Sequence, residues 1–324
     1  MAGGTAAGGR AATQNGRARS QSRADWIFRV ITASCALVVI VLMGSILLEL
    51  LRNSGMSIRE FGLGFLTSDA WNPGAGEFGA ASSIFGTVVS TAIAMLLAVP
   101  LSLIIAIYLV EVAHPRASRI IGGGIELLAA VPSIIYGMWG LFVFAALMQE
   151  HVQPWLGNYF GFLPLFQGPP MGIGMLTAGL ILTLMVLPFI TAVTRDVLQM
   201  VPPVLKESAH GVGATMWEAT RHISLKYGRR GIVGAVFLGF GRALGETMAV
   251  TFVIGNSHRI SSSLFEAGNT IASSLANEFN EASDPLYLSA LFELALVLFG
   301  LTLLFQTLAH FWVRRMQRQE AGDR

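Results

Sequence analysis

Long apolar runs alternate with polar segments along the whole chain. Six runs reach or approach the length of a membrane-spanning helix, at residues 27–51, 84–110, 120–148, 172–200, 231–255 and 286–313. A helix needs about 20 such residues to cross the hydrocarbon layer. Backbone amides in lipid must form hydrogen bonds within their own segment, and a single run can do so only as a helix. The pattern predicts an all-α, polytopic membrane bundle of six transmembrane helices.

Basic residues are distributed unevenly between the two sides of this predicted bundle. If all six runs cross, 17 of the 21 Lys and Arg lie on the side of the termini, Arg52, Arg59 and Arg259 lie on the other, and Arg242 falls inside a span. Basic residues concentrate on the cytoplasmic side of membrane proteins. We therefore expect cytoplasmic termini, a cytoplasmic segment 202–230, and external segments near 53–82, 149–171 and 256–285.

Composition agrees with a membrane protein and excludes several kinds of site. Apolar residues make up 53% of the chain and charged residues 12%, against about 25% charged residues in soluble domains. Cys35 is the single cysteine, so no disulfide forms within the chain. The sequence contains no Gly-x-x-x-x-Gly-Lys-Ser/Thr phosphate loop and no clustered histidines, so we expect neither ATP hydrolysis nor a metal site in this chain.

The two ends are predicted to lie outside the bundle. Residues 1–25 are rich in Ala, Gly and Arg, and this composition favours a disordered basic cytoplasmic tail over a targeting peptide. A first transmembrane helix at 26–52, a permease core at 83–313 and a cytoplasmic tail at 314–324 follow from the apolar pattern.

The polar segment 202–230 carries a spaced motif. Glu207, Ala209 and Gly213 are followed, after nine intervening residues, by Ile223 and Leu225. This spacing resembles the cytoplasmic docking loop of ABC importer permeases, in which a short helix, a glycine break and a second helix bind an ATPase subunit. An ordinary pair of interfacial amphipathic helices is the alternative.

Local sequence supports a helix pair in this segment. Pro203 suits the first position of a helix, and Gly211 with Gly213 permits a sharp bend before a second helix from about Ala214 to Lys226. Lys226 stands where these permeases usually have proline, so the sequence does not fix the residue at which the second helix ends.

Two charged residues lie inside the run 231–255. Arg242 and Glu246 are four residues apart, so a continuous helix would place them on one face. Charge in mid-membrane is costly and is retained where it faces a wet path or a partner. We interpret Arg242 as a cationic surface for a passing oxyanion, with Glu246 orienting it and balancing its charge. An ion pair that only locks two helices together is the alternative.

Gly241 and Gly245 predict a close helix–helix contact.

Prolines fall inside three of the predicted spans, at Pro100, Pro132 and Pro188. Each removes a backbone donor and can bend its helix. Bent helices suit a bundle that opens, although proline is also frequent in membrane helices generally.

Three segments together make a family resemblance: residues 131–140, 207–225 and 239–250. They are similar to the phosphate-specific ABC transporter permeases of the PstC family. The resemblance implies the fold of a type I ABC importer membrane subunit in the bacterial inner membrane. It also implies a PstA-like sister permease as heterodimer partner, a PstB-like ATPase dimer that binds ATP and Mg, and a PstS-like phosphate-binding protein. The resemblance further implies that Arg242 and Glu246 line the substrate pathway and that the segment 202–230 couples alternating access to the ATPase.

Two other functions remain compatible with the residues. The first is an importer permease for another oxyanion, such as sulfate or molybdate. The second is a secondary anion transporter that uses Arg242 and Glu246 as a substrate and proton pair and makes no use of the docking loop.

Overall fold

The computed structural model describes the backbone of residues 7–322 and the side chains of residues 25–313. Helices account for the regular structure of these residues, and the only strand-like pairings among them are two isolated bridges, Asn72 with Glu77 and Gly255 with Gly268. The all-α prediction is confirmed. The chain divides into two compact units, residues 1–53 and 54–324.

The first unit contains helix α1, Ala7–Asn53. Its part from Asp25 to Asn53 is long and apolar enough to cross a membrane, in agreement with the predicted first transmembrane helix, and nearly all its side chains are exposed. The predicted disordered tail, residues 1–25, falls almost wholly outside the described side chains and stays a prediction. The same holds for the predicted tail 314–324.

With longer connections at residues 68–80, 161–174 and 254–270, the second unit is a succession of helices. They are α2 Gly55–Phe61, α3 Gly64–Thr67, α4 Ala81–Ile107, α5 Pro115–Ala129, α6 Ser133–Trp139, α7 Ala145–Leu147, α8 Gln153–Phe160, α9 Met175–Gln199, α10 Pro203–Gly211, α11 Met216–Ala219, α12 Leu225–Leu244, α13 Met248–Val253, α14 Ile271–Glu278 and α15 Pro285–Gly322. Single π-helical turns prolong α4 at Tyr108–Val112, join the helices between α6 and α8 at Gly140–Phe144 and Met148–Val152, and connect α11 to α12 at Thr220–Ser224.

Helices α4 and α9 form the centre of this unit. Ala94 and Ala98 of α4 are buried in one cluster with Ile181 and Met185 of α9. Lipid is as apolar as this core, so van der Waals packing, rather than removal of apolar surface from water, holds such helices together. Small side chains on α4 permit the close approach that this packing needs.

Helix α12 approaches α9 through a stripe of small residues. A Cβ at Gly239 would lie 2.6 Å from Ile190, and one at Gly231 would lie 2.6 Å from Val197. The predicted contact through Gly241 and Gly245 is not the close one, since the nearest atom to a Cβ at Gly241 is 3.7 Å away, on Gln306. The sequence indicated correctly that α12 packs through glycine but placed the contact on the wrong face.

Five helices among residues 25–313 are long and apolar enough to span a membrane: Asp25–Asn53, Ala81–Val112, Ser133–Phe160, Met175–Gln199 and Pro285–Val313. The predicted span 120–148 is wrong at its start, because the chain breaks between α5 and α6. Pro132 stands at the N-cap of α6 and disfavours helical backbone in the residue before it. Tyr136 bridges the break by donating its hydroxyl to the carbonyl of Leu128, 2.9 Å away.

The predicted run 231–255 is likewise not one helix. Helix α12 ends at Leu244, and a separate short helix, α13, begins at Met248. Gly245 has low helix propensity, and Glu246 uses its side chain to accept a hydrogen bond from the backbone of α13. Helix α12 also carries arginines at both ends, so it does not reach the hydropathy of the other spans.

A polar cluster lies at the end of the unit opposite the segment 202–230, beside α14. Glu278 accepts hydrogen bonds from the Trp71 indole at 2.6 Å and the Tyr287 hydroxyl at 2.7 Å, and its other oxygen lies 2.7 Å from His258 Nε2. His258 also stacks on Trp71, with ring centroids 4.9 Å apart. Within the described residues, these side chains tie the segment before α4, the segment before α14 and the start of α15 together.

Candidate functional site: the docking loop and the arginine of α12

The loop between α9 and α12 begins with a helix whose end is fixed by the motif. Pro203 occupies the first position of α10 after Pro202 at the N-cap, as predicted. At the other end, the backbone N–H of Ala214 donates to the carbonyl of Ala209, and that of Gly213 donates to His210, both at 3.0 Å. These two bonds, with Gly213 at φ +89°, constitute a Schellman motif.

The spacing between Ala209 and Gly213 therefore has a physical cause. Ala209 supplies the carbonyl that closes the last turn of α10, and Gly213 takes the left-handed backbone that side chains disfavour. Together they turn the chain sharply, so the predicted glycine break is confirmed. Gly211 lies inside α10 and is not part of the bend.

Helix α11 begins at a capping box. The Thr215 hydroxyl accepts from the backbone of Glu218, and the Glu218 carboxylate accepts from the backbone of Thr215 at 2.8 Å. The backbone and hydroxyl hydrogen bonds from Thr215 hold the pKa of Glu218 below its usual value. The pattern Thr-x-x-Glu is a sequence signal for such a helix start, although it was not among the features predicted above.

The second docking helix does not end near Lys226. Helix α11, the π-helical turn Thr220–Ser224 and α12 follow one another without a gap. Lysine at position 226 provides the backbone donor that proline lacks, so the helix continues through it. The predicted short helix from Ala214 to Lys226 is thus the first part of a longer one.

The five predicted docking residues lie in this compact loop but differ in exposure. Glu207 and Gly213 are exposed, while Ala209, Ile223 and Leu225 are half-buried. Glu207 forms no ion pair in the described part of the chain. It is available to a partner.

Several large apolar side chains are also exposed on the loop. Val212 is 87% exposed, Val204 67% and Trp217 61%. Large exposed apolar side chains beside polar ones are typical of a protein or membrane contact.

Among the residues whose side chains are described, one ion pair joins the loop to the central helices. Lys206 of α10 lies 2.8 Å from Glu111 in the π-helical turn that prolongs α4, and the two side chains are only 21% and 11% exposed. No sequence pattern predicts it, since the residues are 95 positions apart.

Arg242 lies near the end of α12, beside an aromatic residue of α9. Its guanidinium carbon is 5.6 Å from the ring centroid of Phe189. Its Nε is buried without a hydrogen-bond partner among the described residues. The side chain is half-buried, and it carries an unsatisfied cationic donor.

Glu246 does not balance this charge. No ion pair joins Arg242 and Glu246 within the described residues, because α12 has already ended at Leu244. Instead, Glu246 Oε1 accepts from the backbone N–H of Ala249 at 3.1 Å. A carboxylate at this position stabilises the start of α13, where the helix dipole is positive. The sequence placed the two charges near one another, but the predicted pairing assumed a continuous helix.

Comparison with known proteins identifies a family and relatives. Residues 98–318 match the family described as binding-protein-dependent transport system inner membrane component. The chain is 51% identical over 296 residues to the phosphate transport system permease protein PstC of Mesorhizobium japonicum, covering 90% of each chain. It is 48% identical to the PstC of Haemophilus influenzae, covering 92% of this chain and 96% of that protein. It is 36% identical to a probable PstC of Methanocaldococcus jannaschii, covering 89% of this chain and 93% of that protein.

Solved structures share the fold at low sequence identity. A chain of a bacterial alginate ABC transporter, in complex with its alginate pentasaccharide-bound periplasmic protein, superposes with a TM-score of 0.60 at 16% identity. The match covers 92% of this chain and 97% of that one. The fold is that of an ABC importer membrane subunit.

Proposed function

Because the chain belongs to the binding-protein-dependent transport system inner membrane components, and among them to the PstC phosphate permeases, we propose that it is the transmembrane subunit of an ATP-driven importer of inorganic phosphate. The observation that carries this proposal is the 51% identity to a phosphate permease across nine-tenths of both chains. The chain itself is a permease subunit and not an enzyme.

Arg242 supplies the chemistry that such a pathway needs. Phosphate at neutral pH carries between one and two negative charges, and a guanidinium offers it several donors in a planar array. The unsatisfied Nε of Arg242 favours an incoming oxyanion, since an unpaired buried donor is costly. A single cation attracts the anion without holding it too tightly for release. Glu246 acts by fixing the start of α13 beside the pathway rather than by pairing with Arg242.

The docking loop is the site for the ATPase partner. Glu207 presents a free carboxylate, the Schellman turn at Gly213 fixes the bend, and the exposed apolar side chains Val204, Val212 and Trp217 supply contact area. ATP and Mg bind to the partner, and closure of the ATPase dimer pushes on this loop. The push is converted to alternating access by rearrangement of the packed helices.

The remaining assignments concern the assembly and its orientation. We assign a PstA-like sister permease, a PstB-like ATPase dimer and a PstS-like phosphate-binding protein as partners. The basic surplus on the docking-loop side favours a cytoplasmic position for that loop and both termini, within the bacterial inner membrane.

Reconstitution in liposomes tests the proposal. The chain is combined with its sister permease, ATPase and binding protein, and uptake of labelled phosphate is measured with and without ATP. We expect uptake that requires ATP and that sulfate and molybdate do not compete away. Selective uptake of another oxyanion would correct the substrate, and uptake without ATP would favour a secondary transporter.

Arg242→Gln is the decisive variant in this assay. It keeps much of the length and hydrogen-bonding character of the side chain but removes the charge, so we expect phosphate uptake to fall by about 100-fold or more while the complex still assembles. Arg59→Gln, at an exposed position on α2, removes the same charge elsewhere and should transport normally. Wild-type uptake by Arg242→Gln would contradict the role assigned to Arg242.

A further inference from the structure

A cleft lies at the docking-loop end of the second unit, apart from Arg242. It has a volume of about 320 Å³ and is lined by the π-helical turn that prolongs α4, the first turns of α5 and the last turn of α9. Its polar lining consists of Ser118, Arg119, Arg195 and Gln199. This volume is at the lower end of the range for small-molecule sites.

Arg195 is held in place on one side of the cleft. Its Nη1 donates to Glu126 Oε1 at 2.8 Å, and its side chain is only 13% exposed. Gly122 of α5 provides the space, since a Cβ there would lie 2.4 Å from the ζ-carbon of Arg195. The Nε of Arg195 is buried and has no hydrogen-bond partner in the part of the chain that is described. The guanidinium is thus fixed, with hydrogen-bonding capacity left over.

Arg119 adds a charge that no carboxylate neutralises. It is exposed and forms no ion pair within residues 25–313. Two carboxylates around the cleft are already engaged, Glu126 by Arg195 and Glu111 by Lys206, both at 2.8 Å, and Asp196, next to Arg195 on α9, is exposed. The first turn of α5 adds the positive end of its dipole to the same space. The cleft therefore favours an anion.

The position of the cleft relates it to the proposed pathway. Phe189 on α9 lies beside Arg242. Arg195 is six positions further along the same helix, which corresponds to about 9 Å along the helix axis. The direction from Phe189 to Arg195 is toward the docking loop. The general surplus of basic residues at this end accounts for the presence of arginines. It does not account for Gly122, whose missing side chain leaves the space that Arg195 occupies at the cleft.

We propose that this cleft binds a phosphoryl anion through Arg119 and Arg195, with Ser118 and Gln199 as further hydrogen-bonding groups. Two sources share this chemistry: inorganic phosphate that has passed Arg242, and the phosphate of a lipid headgroup. The first source rests on the proposed function, whereas the site itself rests on the cleft and its charges.

Cysteine accessibility at Ser118 tests the proposal in the full-length chain. Ser118→Cys is made in a Cys35→Ser background, so the protein has a single thiol, and the chain is reconstituted in phosphatidylcholine vesicles. Modification rates are measured with an anionic and a cationic thiosulfonate of similar size. We expect the cleft to favour the anionic reagent by about tenfold. Inorganic phosphate should slow modification more than sodium chloride does at equal ionic strength.

Variants and vesicle composition separate the sources and the residues. Arg119→Gln should abolish both the preference and the protection, whereas Glu126→Gln should give protection at lower phosphate concentration, because it removes the carboxylate that competes for Arg195. Arg229→Gln, with the same loss of charge at an exposed position on α12, is the matched control. Protection in vesicles that contain phosphatidylglycerol, without added phosphate, would assign the site to a headgroup.

Two results would overturn the proposal. One is a rate that neither phosphate nor phosphatidylglycerol changes beyond the chloride control, and the other is protection that persists in Arg119→Gln. The protection measured in the parent protein does not depend on any arginine variant folding. The assay needs no ATP, ATPase or transport, so protection in a chain that fails to import phosphate would keep the site and remove only the proposed function.

Discussion

At the scale of single residues, Glu278 shows how one side chain holds several segments together. It accepts hydrogen bonds from Trp71 and Tyr287 and pairs with His258. Burial raises the pKa of this carboxyl, but the hydrogen bonds from His258 and Tyr287 and the His258 charge outweigh burial, so the net pKa lies below its usual 4.5. The cluster is therefore built around the ionised form.

This shift predicts the sign of a pH dependence. A carboxyl whose pKa is lower in the folded state contributes stability above its unfolded pKa and loses it as the pH falls through the folded pKa. We expect the melting temperature of the purified chain in detergent to fall below about pH 4.5, and to fall less steeply in Glu278→Gln than in the wild type. Glu281→Gln, an exposed carboxylate nearby, is the control and should keep the wild-type slope. Equal slopes for Glu278→Gln and wild type would refute the role of this carboxyl.

Gly239 is the second residue at which a small change has a large predicted effect. Any Cβ there would lie 2.6 Å from Ile190 and 3.1 Å from Val186, so Gly239→Leu should force α12 away from α9. Overpacking of this kind costs about 1 to 3 kcal/mol or more. Gly234→Leu is the matched control, because a Cβ at Gly234 has no atom within 4 Å. We expect the melting temperature in detergent to fall strongly for Gly239→Leu and to change little for Gly234→Leu.

The sequence identifies candidate residues for the site, but it does not predict their geometry. The rarity of charge in an apolar run singles out Arg242 and Glu246 from sequence alone. Their separation of four positions implies a shared face only if the helix is continuous, and Gly245 ends it. Phe189, which lies beside Arg242, carries no signal in a single sequence, because aromatic residues in spans are common and only the fold brings the two residues together.

At the scale of elements, the docking loop depends on its turn. Gly213 at φ +89° is the position where a side chain is least tolerated, and left-handed backbone costs other residues about 1 to 2 kcal/mol. Gly213→Val should therefore loosen the angle between α10 and α11 and weaken binding of the ATPase partner. Titration of the ATPase into the reconstituted permease measures this, and we expect a dissociation constant raised by about tenfold, which corresponds to about 1.4 kcal/mol.

Gly211 offers the comparison for this prediction. It lies inside α10, and a Cβ at this position would have no atom within 4 Å. Gly211→Ala should therefore favour the helix by about 0.5 to 1 kcal/mol and leave ATPase binding intact. If Gly213→Val bound the ATPase as tightly as Gly211→Ala, the Schellman turn would not be what positions the loop.

The bounds of a helix were predictable where one local sequence signal determines them, and not where two signals favour different bounds. The start of α10 and the turn after it follow from proline and glycine. The break at Pro132 lies inside an apolar run long enough to span a membrane, so length favoured one helix and proline favoured two, and hydropathy alone cannot rank them. The end of α12 at Leu244 depends on Glu246 capping α13, which requires the folded backbone.

At the scale of the whole molecule, the structure connects the proposed docking loop to the central helices, one of which carries Phe189 beside Arg242. Within the described residues, the Lys206–Glu111 ion pair is the charged contact between α10 and the turn that prolongs α4. It is mostly buried, and it ends on a π-helical turn, a geometry frequent at functional positions. Helix α4 packs in turn along α9, which carries Phe189 beneath Arg242. A movement of α10 therefore acts on the central helices through this pair.

Exchanging the two charges tests this connection. Lys206→Glu leaves two carboxylates together and Glu111→Lys leaves two ammonium groups, and breaking such a pair costs about 3 to 5 kcal/mol when it is fully buried. We expect each single variant to bind the ATPase, since neither residue lies on the exposed docking surface, but to hydrolyse more ATP per phosphate imported. The double exchange restores an attractive pair in the same place, so it should recover much of the wild-type ratio. If the pair were only structural, the single variants would assemble less complex, but the complex that formed would hydrolyse the wild-type amount of ATP per phosphate imported. That result would show that the pair does not couple the loop to the central helices.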